Sequence, residues 1–230
     1  HEKFNWQGKN VQLPLNHPPV KHSLHGHGWQ NPWHVEQQGK TSLILGYQHK
    51  ADSWPFDYCV RQKIRLVGSN LVVELTLTNK SEKDMPAGLG FHPYFTLTQR
   101  CRLSAATEKM WQVDQEVMPT TLTQAPMALS QQQGLIIAEN QFDNVFTKFS
   151  GKARVYWPEW RVKADITTSE LCQFMVLYSP EQQGFFCVEP VTHCTDAINM
   201  AEQGHKNTGI KSLKPGEEIS IGMSIAPQSL

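Results

Sequence analysis

The sequence predicts a large all-β sandwich, and two features of its pattern support that prediction. Apolar and polar side chains alternate along several short segments, for example residues 71–77, 162–166 and 219–225. An alternation with a period of two is typical of antiparallel strands that bury one face. No segment shows a sustained helical period instead. Many short strands without intervening helices favour two packed sheets.

Turn-forming residues separate the predicted strands. Gly, Asn, Ser and Pro cluster at residues 67–70, 150–152 and 214–216, and these residue types favour tight turns. A denser apolar run at residues 174–178 predicts a central strand that is covered on both faces. No Pro-, Gly- or Ser-rich linker and no break in composition interrupts the chain. We therefore predict a single domain over residues 1–230.

Charge and composition narrow the classes of partner. Lys plus Arg and Asp plus Glu are balanced at 21 each, so the chain has no basic field for nucleic acid and no attraction to an anionic membrane surface. No apolar run is long enough to span a bilayer, and the N-terminus shows no signal-peptide pattern. We expect a small, uncharged molecule as the partner, a cytoplasmic location, and a monomer or homodimer.

The cysteines argue against a disulfide or zinc framework. Their number is odd, and no two of them have the C-x-x-C spacing of zinc and redox motifs. We interpret them as small, buried, apolar side chains in a reducing compartment. They are Cys59, Cys101, Cys172, Cys187 and Cys194.

Two proton-transfer residues each stand immediately before a proline. His92 precedes Pro93, and Glu189 precedes Pro190. The proline ring clashes with the preceding backbone and favours extended geometry there, so both residues are predicted at strand ends. An imidazole and a carboxyl group in one cleft are sufficient for general acid–base catalysis near neutral pH. The pattern indicates an enzyme that moves protons on a polar substrate.

The residues around this pair favour a functional role. Gly88 and Gly90 lead into His92 and remove side chains from the strand where a ligand could lie. Glu189 ends an apolar strand predicted at residues 184–188, and a carboxylate in such surroundings is costly to bury unless it is paired or used. The alternatives are a hydrogen-bonded core histidine and an exposed glutamate at a strand end.

A third cluster contains His25, Gly26, His27 and Gly28. Its glycines indicate a left-handed turn or a close approach of the backbone. Three interpretations stay open for the histidines: contact of His25 with a substrate, a purely structural loop, or a metal site. An H-x-H pair on an extended segment points both imidazoles to one side, as a metal site needs. No Asp or Cys lies near the pair in the sequence, so we predict no metal.

Taken in order, these segments resemble the aldose 1-epimerase (galactose mutarotase) family. The matches are Leu24-His25-Gly26, His92-Pro93-Tyr94-Phe95, Phe142-Asp143-Asn144-Val145-Phe146, Glu189-Pro190 followed by Asp196 through Asn199, and Leu213-Lys214-Pro215-Gly216-Glu217 before the last predicted strand. Each motif is modest by itself, but together they follow the family's order over nearly the whole chain. On its own, Asp143-Asn144 is also compatible with a simple turn.

The resemblance implies a large twisted antiparallel β-sandwich, the galactose mutarotase-like supersandwich, with a concave sugar-binding cleft. It implies an aldose 1-epimerase that interconverts the α and β anomers of a free aldohexose without a metal or an organic cofactor. His92 would be the general acid on the ring oxygen, and Glu189 would be the base on the anomeric hydroxyl. His25 would polarise the ring-oxygen side, and Asp143 would bind sugar hydroxyls.

Two features depart from the family pattern. Members carry an Asn-Arg pair that helps to bind sugar, and the sequence starts at His1, just past the expected place of that pair. We therefore expect some N-terminal residues of the family to be missing. The hexose-6-phosphate 1-epimerase branch has an arginine soon after the His-Gly pair, whereas residues 27–31 contain no Lys or Arg. The alternatives are that phosphosugar epimerase, a non-catalytic carbohydrate-binding protein, and a metal-dependent enzyme that uses His25 and His27.

Overall fold

A computed structural model describes residues 2–230, and most of the chain between its loops is extended. The strands are β1 (Lys3–Trp6), β2 (Lys9–Gln12), β3 (His34–Gln38), β4 (Ser42–His49), β5 (Tyr58–Val67), β6 (Asn70–Asn79), β7 (Met85–Ala87), β8 (Tyr94–Thr96), β9 (Arg102–Ala105), β10 (Lys109–Val113), β11 (Pro119–Gln124), β12 (Leu135–Ile136), β13 (Phe142–Thr147), β14 (Lys152–Trp157), β15 (Val162–Thr168), β16 (Phe174–Ser179), β17 (Phe185–Val191), β18 (Lys211–Leu213) and β19 (Glu218–Ser229).

Helical structure is short. Residues 2–230 contain α1 (Met127–Ser130), α2 (Ala197–Glu202) and one 3₁₀ turn (Ile137–Glu139). Within the same residues, no helix has the length and apolar character that crossing a membrane requires. The low helical content agrees with the missing helical period in the sequence. The prediction of an all-β fold is confirmed.

The chain divides into two compact units. The first unit contains His1–Arg65, Val73–Leu89 and Asp196–Ser220. The second unit contains Leu66–Val72, Gly90–Thr195 and Ile221–Leu230. Some of the boundaries fall inside the strands β5, β6 and β19 rather than in linkers. The single domain over residues 1–230 stays a prediction.

In the first unit, the main sheet has the strand order β6-β5-β4-β3. The pairs of β3 with β4 and of β4 with β5 are antiparallel, as are two small pairs, β1 with β2 and β7 with β18. The turn predicted around Pro215 is confirmed. Gly216 has a φ of +79°, and the Glu217 N–H donates to the Lys214 carbonyl oxygen at 3.0 Å.

The second unit contains two antiparallel sheets that pack against each other. The six-stranded sheet has the order β11-β10-β13-β16-β17-β8, and the other sheet contains β12-β9-β14-β15-β19. Trp157 on β14 donates its indole N–H to the Thr96 carbonyl oxygen at 2.8 Å, and its ring centroid lies 6.3 Å from that of Phe95 on β8. Alternate residues on these facing sides, such as Phe146 and Val155, are fully buried. The predicted sandwich is therefore present in this unit.

Burial follows the predicted alternation along the strands. Ile166 on β15 and Ile221 on β19 are buried, as the period of two predicts. β16 lies between β13 and β17, so the central strand predicted at residues 174–178 is central. The prediction that both faces of this strand are covered was wrong, because Val176 and Tyr178 are only half-buried. Their face of the sheet is the one that carries the polar residues described below.

Gly90 permits a close approach of the chain to β17. It forms an antiparallel bridge with Val191, and the Phe91 N–H donates to the Pro190 carbonyl oxygen at 3.0 Å. A Cβ atom added at Gly90 would lie 2.6 Å from Cγ1 of Val191, which is closer than packed side chains tolerate. The sequence suggested that a ligand lies against this glycine. The structure places the side chain of Val191 there instead.

Gly90→Ala is expected to lower the free energy of unfolding by about 1–3 kcal/mol, because the new methyl group overpacks against Val191. Equilibrium unfolding in urea measures this change. Val191→Ala removes the opposing methyl groups, so the double variant G90A/V191A should lose less stability than the two single variants added together. Strictly additive losses would mean that Val191 is not what excludes a side chain at residue 90.

Candidate active site

One face of the six-stranded sheet carries a row of polar and aromatic side chains. Cross-strand pairing places Asp143 of β13 opposite Tyr178 of β16. In the same row, Cys187 of β17 lies opposite Tyr178 on one side and Tyr94 of β8 on the other. Neighbouring strands are about 4.8 Å apart, so the row crosses four strands. Glu189 shares this face, because it is two positions from Cys187 along β17.

Glu189 lies inside β17 and not at the end of a strand as predicted. It pairs with Val176 of the neighbouring β16. Pro190 fits in this strand because the N–H and C=O groups of one strand residue point to the same side. The Pro190 carbonyl oxygen accepts from Phe91 on the β8 side. The N–H that proline lacks would point there too, so the ladder with β16 loses no donor.

The segment that leads into β8 brings His92 against Glu189. The bridge at Gly90 and the strand pairing at Tyr94 fix both ends of this segment against β17. Between them, Nε2 of His92 lies 3.3 Å from Oε1 of Glu189. The side chain of Glu189 is 7% exposed and that of His92 is 32% exposed. Solvent therefore reaches the Glu189–His92 pair from the side of His92.

Burial drives both members of the pair toward their neutral forms. It raises the pKa of Glu189 to about 8, and the nearby charge of Asp143 adds to the rise. Burial also lowers the pKa of His92 from its ordinary value of 6.5, against a smaller raising effect of a backbone hydrogen bond. Between these two pKa values, the pair holds one proton. At neutral pH it can both donate and accept.

Asp143 lies within β13 and not in a turn. Burial of its carboxyl group raises the pKa of Asp143 to about 6. The residue nevertheless keeps an exposed surface, and the water in contact with that surface limits the rise. An ionised carboxylate accepts hydrogen bonds and donates none. Asp143 is therefore suited to bind hydroxyl groups of a ligand on this face.

Three residues of this face were not predicted from the sequence: Tyr94, Tyr178 and Cys187. The Tyr94 ring stacks on His92, with centroids 4.9 Å apart and 16° between the planes. Cys187 is fully buried between the two tyrosines of its row. The sequence did contain a signal for two of them. Cys187 is two residues before Glu189 and Tyr94 is two residues after His92, and residues two apart on a strand share a face.

His25 belongs to the first unit, in the loop that precedes β3. His25 and Gly26 both have left-handed backbone conformations, with φ of 56° and 68°, as predicted for the glycine. The His25 ring meets Trp29 edge-on, with 5.5 Å between centroids. Gly28 allows close packing, because a Cβ atom there would lie 3.3 Å from the ring of Trp33. Contact of His25 with a substrate stays a prediction.

The possible metal ligands differ from the H-x-H pair considered above. Within residues 2–230, two groups place donor atoms within 4.8 Å of one another: His27, His49 and Asp52 in the first unit, and His92, Cys187 and Glu189 in the second. In the first group, the two imidazole rings stack at 4.3 Å and 8°, so their in-plane lone pairs lie in two separate, nearly parallel planes and do not meet at one ion. In the second, burial raises the pKa of Cys187 to about 12, so its sulfur is a neutral thiol in the metal-free protein.

Comparison with known proteins identifies the family. A sequence model of the family described as aldose 1-epimerase matches residues 1–226. The chain belongs to the aldose 1-epimerase family. It is 31% identical over 231 residues to the uncharacterized Escherichia coli K12 protein YphB, with 97% of this chain and 78% of YphB covered.

Solved structures share the fold of this aldose 1-epimerase family member. A provisional aldose 1-epimerase from Escherichia coli K12 superposes with a TM-score of 0.89 at 27% identity, covering 100% of this chain and 79% of that protein. A galactose mutarotase-like protein from Clostridium acetobutylicum superposes with a TM-score of 0.86 at 18% identity, covering 100% and 76%. The predicted galactose mutarotase-like fold is confirmed.

One of the aldose 1-epimerase motifs, Asp196 through Asn199, lies at the start of helix α2 in the first unit. Asp196, which matches the family downstream of Glu189-Pro190, has a φ of 57° and directly precedes α2. Its carboxylate accepts a hydrogen bond from the Asn199 side-chain amide at 2.6 Å. Within the first unit, this motif therefore has a structural explanation.

The buried carboxyl group of Glu189 should make the free energy of unfolding depend on pH. The pKa of Glu189 is about 8 in the folded protein, against 4.5 for a solvated glutamate. The folded state thus holds a proton that the unfolded chain releases, and the stability that this proton contributes is lost as pH rises from about 4.5 to about 8. Glu189→Gln stays neutral and avoids this loss. Its unfolding free energy relative to the wild type should therefore rise between about pH 5 and about pH 8.

Urea unfolding of both proteins across this pH range measures the effect. Glu181→Gln, which removes an acidic group at an exposed position, is the matched control. If the two variants change with pH in the same way relative to the wild type, the burial of Glu189 does not have the predicted consequence.

Proposed function

We propose that this protein is an aldose 1-epimerase that interconverts the α and β anomers of a free aldohexose. The observation that supports the proposal is the 3.3 Å contact between Nε2 of His92 and Oε1 of Glu189, with His92 partly exposed. Anomer exchange requires one proton to leave the C1 hydroxyl group and another to reach the ring oxygen. A pair that holds a single proton at neutral pH can serve as the acid and the base at once.

In the proposed reaction, the carboxylate of Glu189 takes the proton of the C1 hydroxyl, and the imidazolium of His92 gives a proton to the ring oxygen. The bond between C1 and the ring oxygen breaks, and the electron pair of the C1 O–H bond forms the carbonyl of the open-chain aldehyde. Rotation about the C1–C2 bond presents the other carbonyl face to the ring hydroxyl. Closure reverses both proton transfers, so the reaction balances without a cofactor.

The resting pair corresponds to the state that follows ring opening. The raised pKa of Glu189 and the lowered pKa of His92 favour a protonated carboxyl group beside a neutral imidazole. Passage of this proton across the 3.3 Å contact to His92 gives the state that opens the ring. Both states carry the same net charge, and the ion pair that forms brings its two opposite charges into direct contact.

The surroundings of the pair suit a polyhydroxy ring without a phosphate. Asp143 offers a carboxylate to sugar hydroxyls, and Tyr94, which is 63% exposed, offers an aromatic face to the C–H surface of a pyranose. On the family resemblance alone, His25 of the first unit is proposed to polarise the ring-oxygen side of the sugar. Recognition of a phosphate requires a cation, and residues 27–31, after the His-Gly pair, contain no Lys or Arg. We therefore favour a free aldohexose over its 6-phosphate.

Polarimetry of freshly dissolved α-glucose and α-galactose, with and without the protein, tests the proposed activity. Glu189→Gln and His92→Asn are each expected to lower the rate of anomer exchange about 100-fold or more, because each removes one of the two proton carriers. Circular dichroism of the variants checks that they are folded, and Glu181→Gln should keep the wild-type rate. A rate near that of the wild type in either variant would remove that residue from the mechanism.

The same assay separates the alternatives. Faster exchange for glucose 6-phosphate than for glucose would favour the hexose-6-phosphate 1-epimerase. Measurable sugar binding without acceleration of any aldose would favour a non-catalytic carbohydrate-binding protein. Either result would replace the function proposed above.

Asp143→Asn is expected to raise KM for the aldose about three- to tenfold and to change kcat less. Asp143 binds hydroxyl groups in this proposal and takes no proton, so its loss weakens binding in the ground state and the transition state alike. Initial rates over a range of sugar concentrations separate the two constants. A large fall in kcat at unchanged KM would instead assign Asp143 a part in proton transfer.

A further inference from the structure

A cavity lies on the outer side of the other sheet in the second unit, and several of its lining residues are charged. The strands β9, β14 and β15 bury alternate residues such as Leu103, Val155 and Ile166, and their remaining side chains point away from the core. A cavity of about 400 Å³ opens on this outer side. The core side of the sheet contacts the six-stranded sheet through Trp157 and Phe95. Both sheets therefore separate this outer cavity from the acid–base pair.

Three cations line the outer cavity: Arg102 on β9, Arg154 on β14 and Lys163 on β15. Cross-strand pairing places Tyr156 between Arg102 and Lys163 in one row. Arg154 is two positions before Tyr156 and shares its face. The strands of Arg102 and Lys163 are two spacings apart, which is about 10 Å. Long side chains from both strands, and Arg154 between them, can reach one anionic group.

Within residues 2–230, one side-chain carboxylate contacts these cations, and Leu230 also lines the cavity. Arg154 donates from Nε to Asp165, and Nζ of Lys163 lies 3.8 Å from the same carboxylate. Among these side chains, three cations face one carboxylate, which leaves an excess of two positive charges. Arg102 donates from one of its N–H groups to the Gly134 carbonyl oxygen at 3.2 Å. A guanidinium carries five N–H donors, so these contacts orient both arginines and leave other donors on each.

We propose that the outer cavity binds a small phosphorylated polyhydroxy compound, such as a sugar phosphate, at a site separate from the acid–base pair. Guanidinium groups bind phosphate oxygens through paired hydrogen bonds, and a lysine adds a point charge. Ser104, Tyr156, Gln132 and Gln133 also line the cavity, and their hydroxyl and amide groups match the hydroxyls of such a ligand. The whole chain has a formal net charge of zero, so this positive charge is a local feature.

Glucitol 6-phosphate is a suitable probe, because it has a phosphate and hydroxyls but no anomeric centre and cannot undergo anomer exchange. Isothermal titration calorimetry at low salt should give saturable binding, weaker binding of inorganic phosphate, and none of glucitol. Lys163→Gln and Arg102→Gln should each weaken binding about tenfold, through the loss of one charge-assisted hydrogen bond. Lys152→Gln, at an exposed position of β14, is the matched control and should bind like the wild type.

Glu189→Gln distinguishes the two sites and should also bind glucitol 6-phosphate like the wild type. Binding that is lost in this variant and kept in Lys163→Gln would mean that the phosphate occupies the acid–base pair, and would overturn the proposal. Equal weakening by Lys163→Gln and Lys152→Gln, or no saturable binding, would overturn it as well. Calorimetry measures binding without turnover, so the result does not depend on whether the protein exchanges anomers.

Discussion

Glu189 is buried in the middle of a strand, and the imidazole of His92 lies 3.3 Å from its carboxyl group. A carboxyl group in that position is stable only if it is neutral or has a partner with which to share a proton. β17 provides the burial, and the segment between Gly90 and Tyr94 provides the partner. That segment is held by backbone contacts with Pro190 and Val191, so the geometry of the site depends first on the main chain.

The Glu189–His92 pair suits the proposed reaction, which begins and ends with an uncharged sugar. Burial makes both the loss of a proton from Glu189 and the gain of one by His92 less favourable near neutrality, as the directions of their pKa shifts indicate. The proton therefore rests on Glu189, and the 3.3 Å contact gives it a path to His92. The Tyr94 ring stacked on His92 keeps the imidazole in place while one edge of it stays accessible.

The sequence predicts those features of the fold and the site whose physical cause is local. One-sided burial sets a period of two, so the strands were predictable, and the prolines after His92 and Glu189 drew attention to those residues. The position of Glu189 inside β17 could not be predicted from the sequence. Pro190 fits inside the strand only because its missing N–H would point toward Phe91 and not toward β16, and this orientation is known only from the structure. The row through Tyr94 and Cys187 depends on cross-strand register, which the sequence does not state. The outer cavity was missed for the same reason, since its cations meet only through strand pairing.

Cys187 lies in the centre of the row, two residues from Glu189, with its thiol fully buried and the pKa of that thiol raised to about 12. Peroxides and alkylating reagents attack the thiolate form of cysteine and hardly react with the thiol. At neutral pH almost none of Cys187 is ionised. A sulfur atom next to the proposed acid–base pair is thereby protected from oxidative damage, so the proposed chemistry could continue under conditions that inactivate enzymes with an exposed, acidic cysteine.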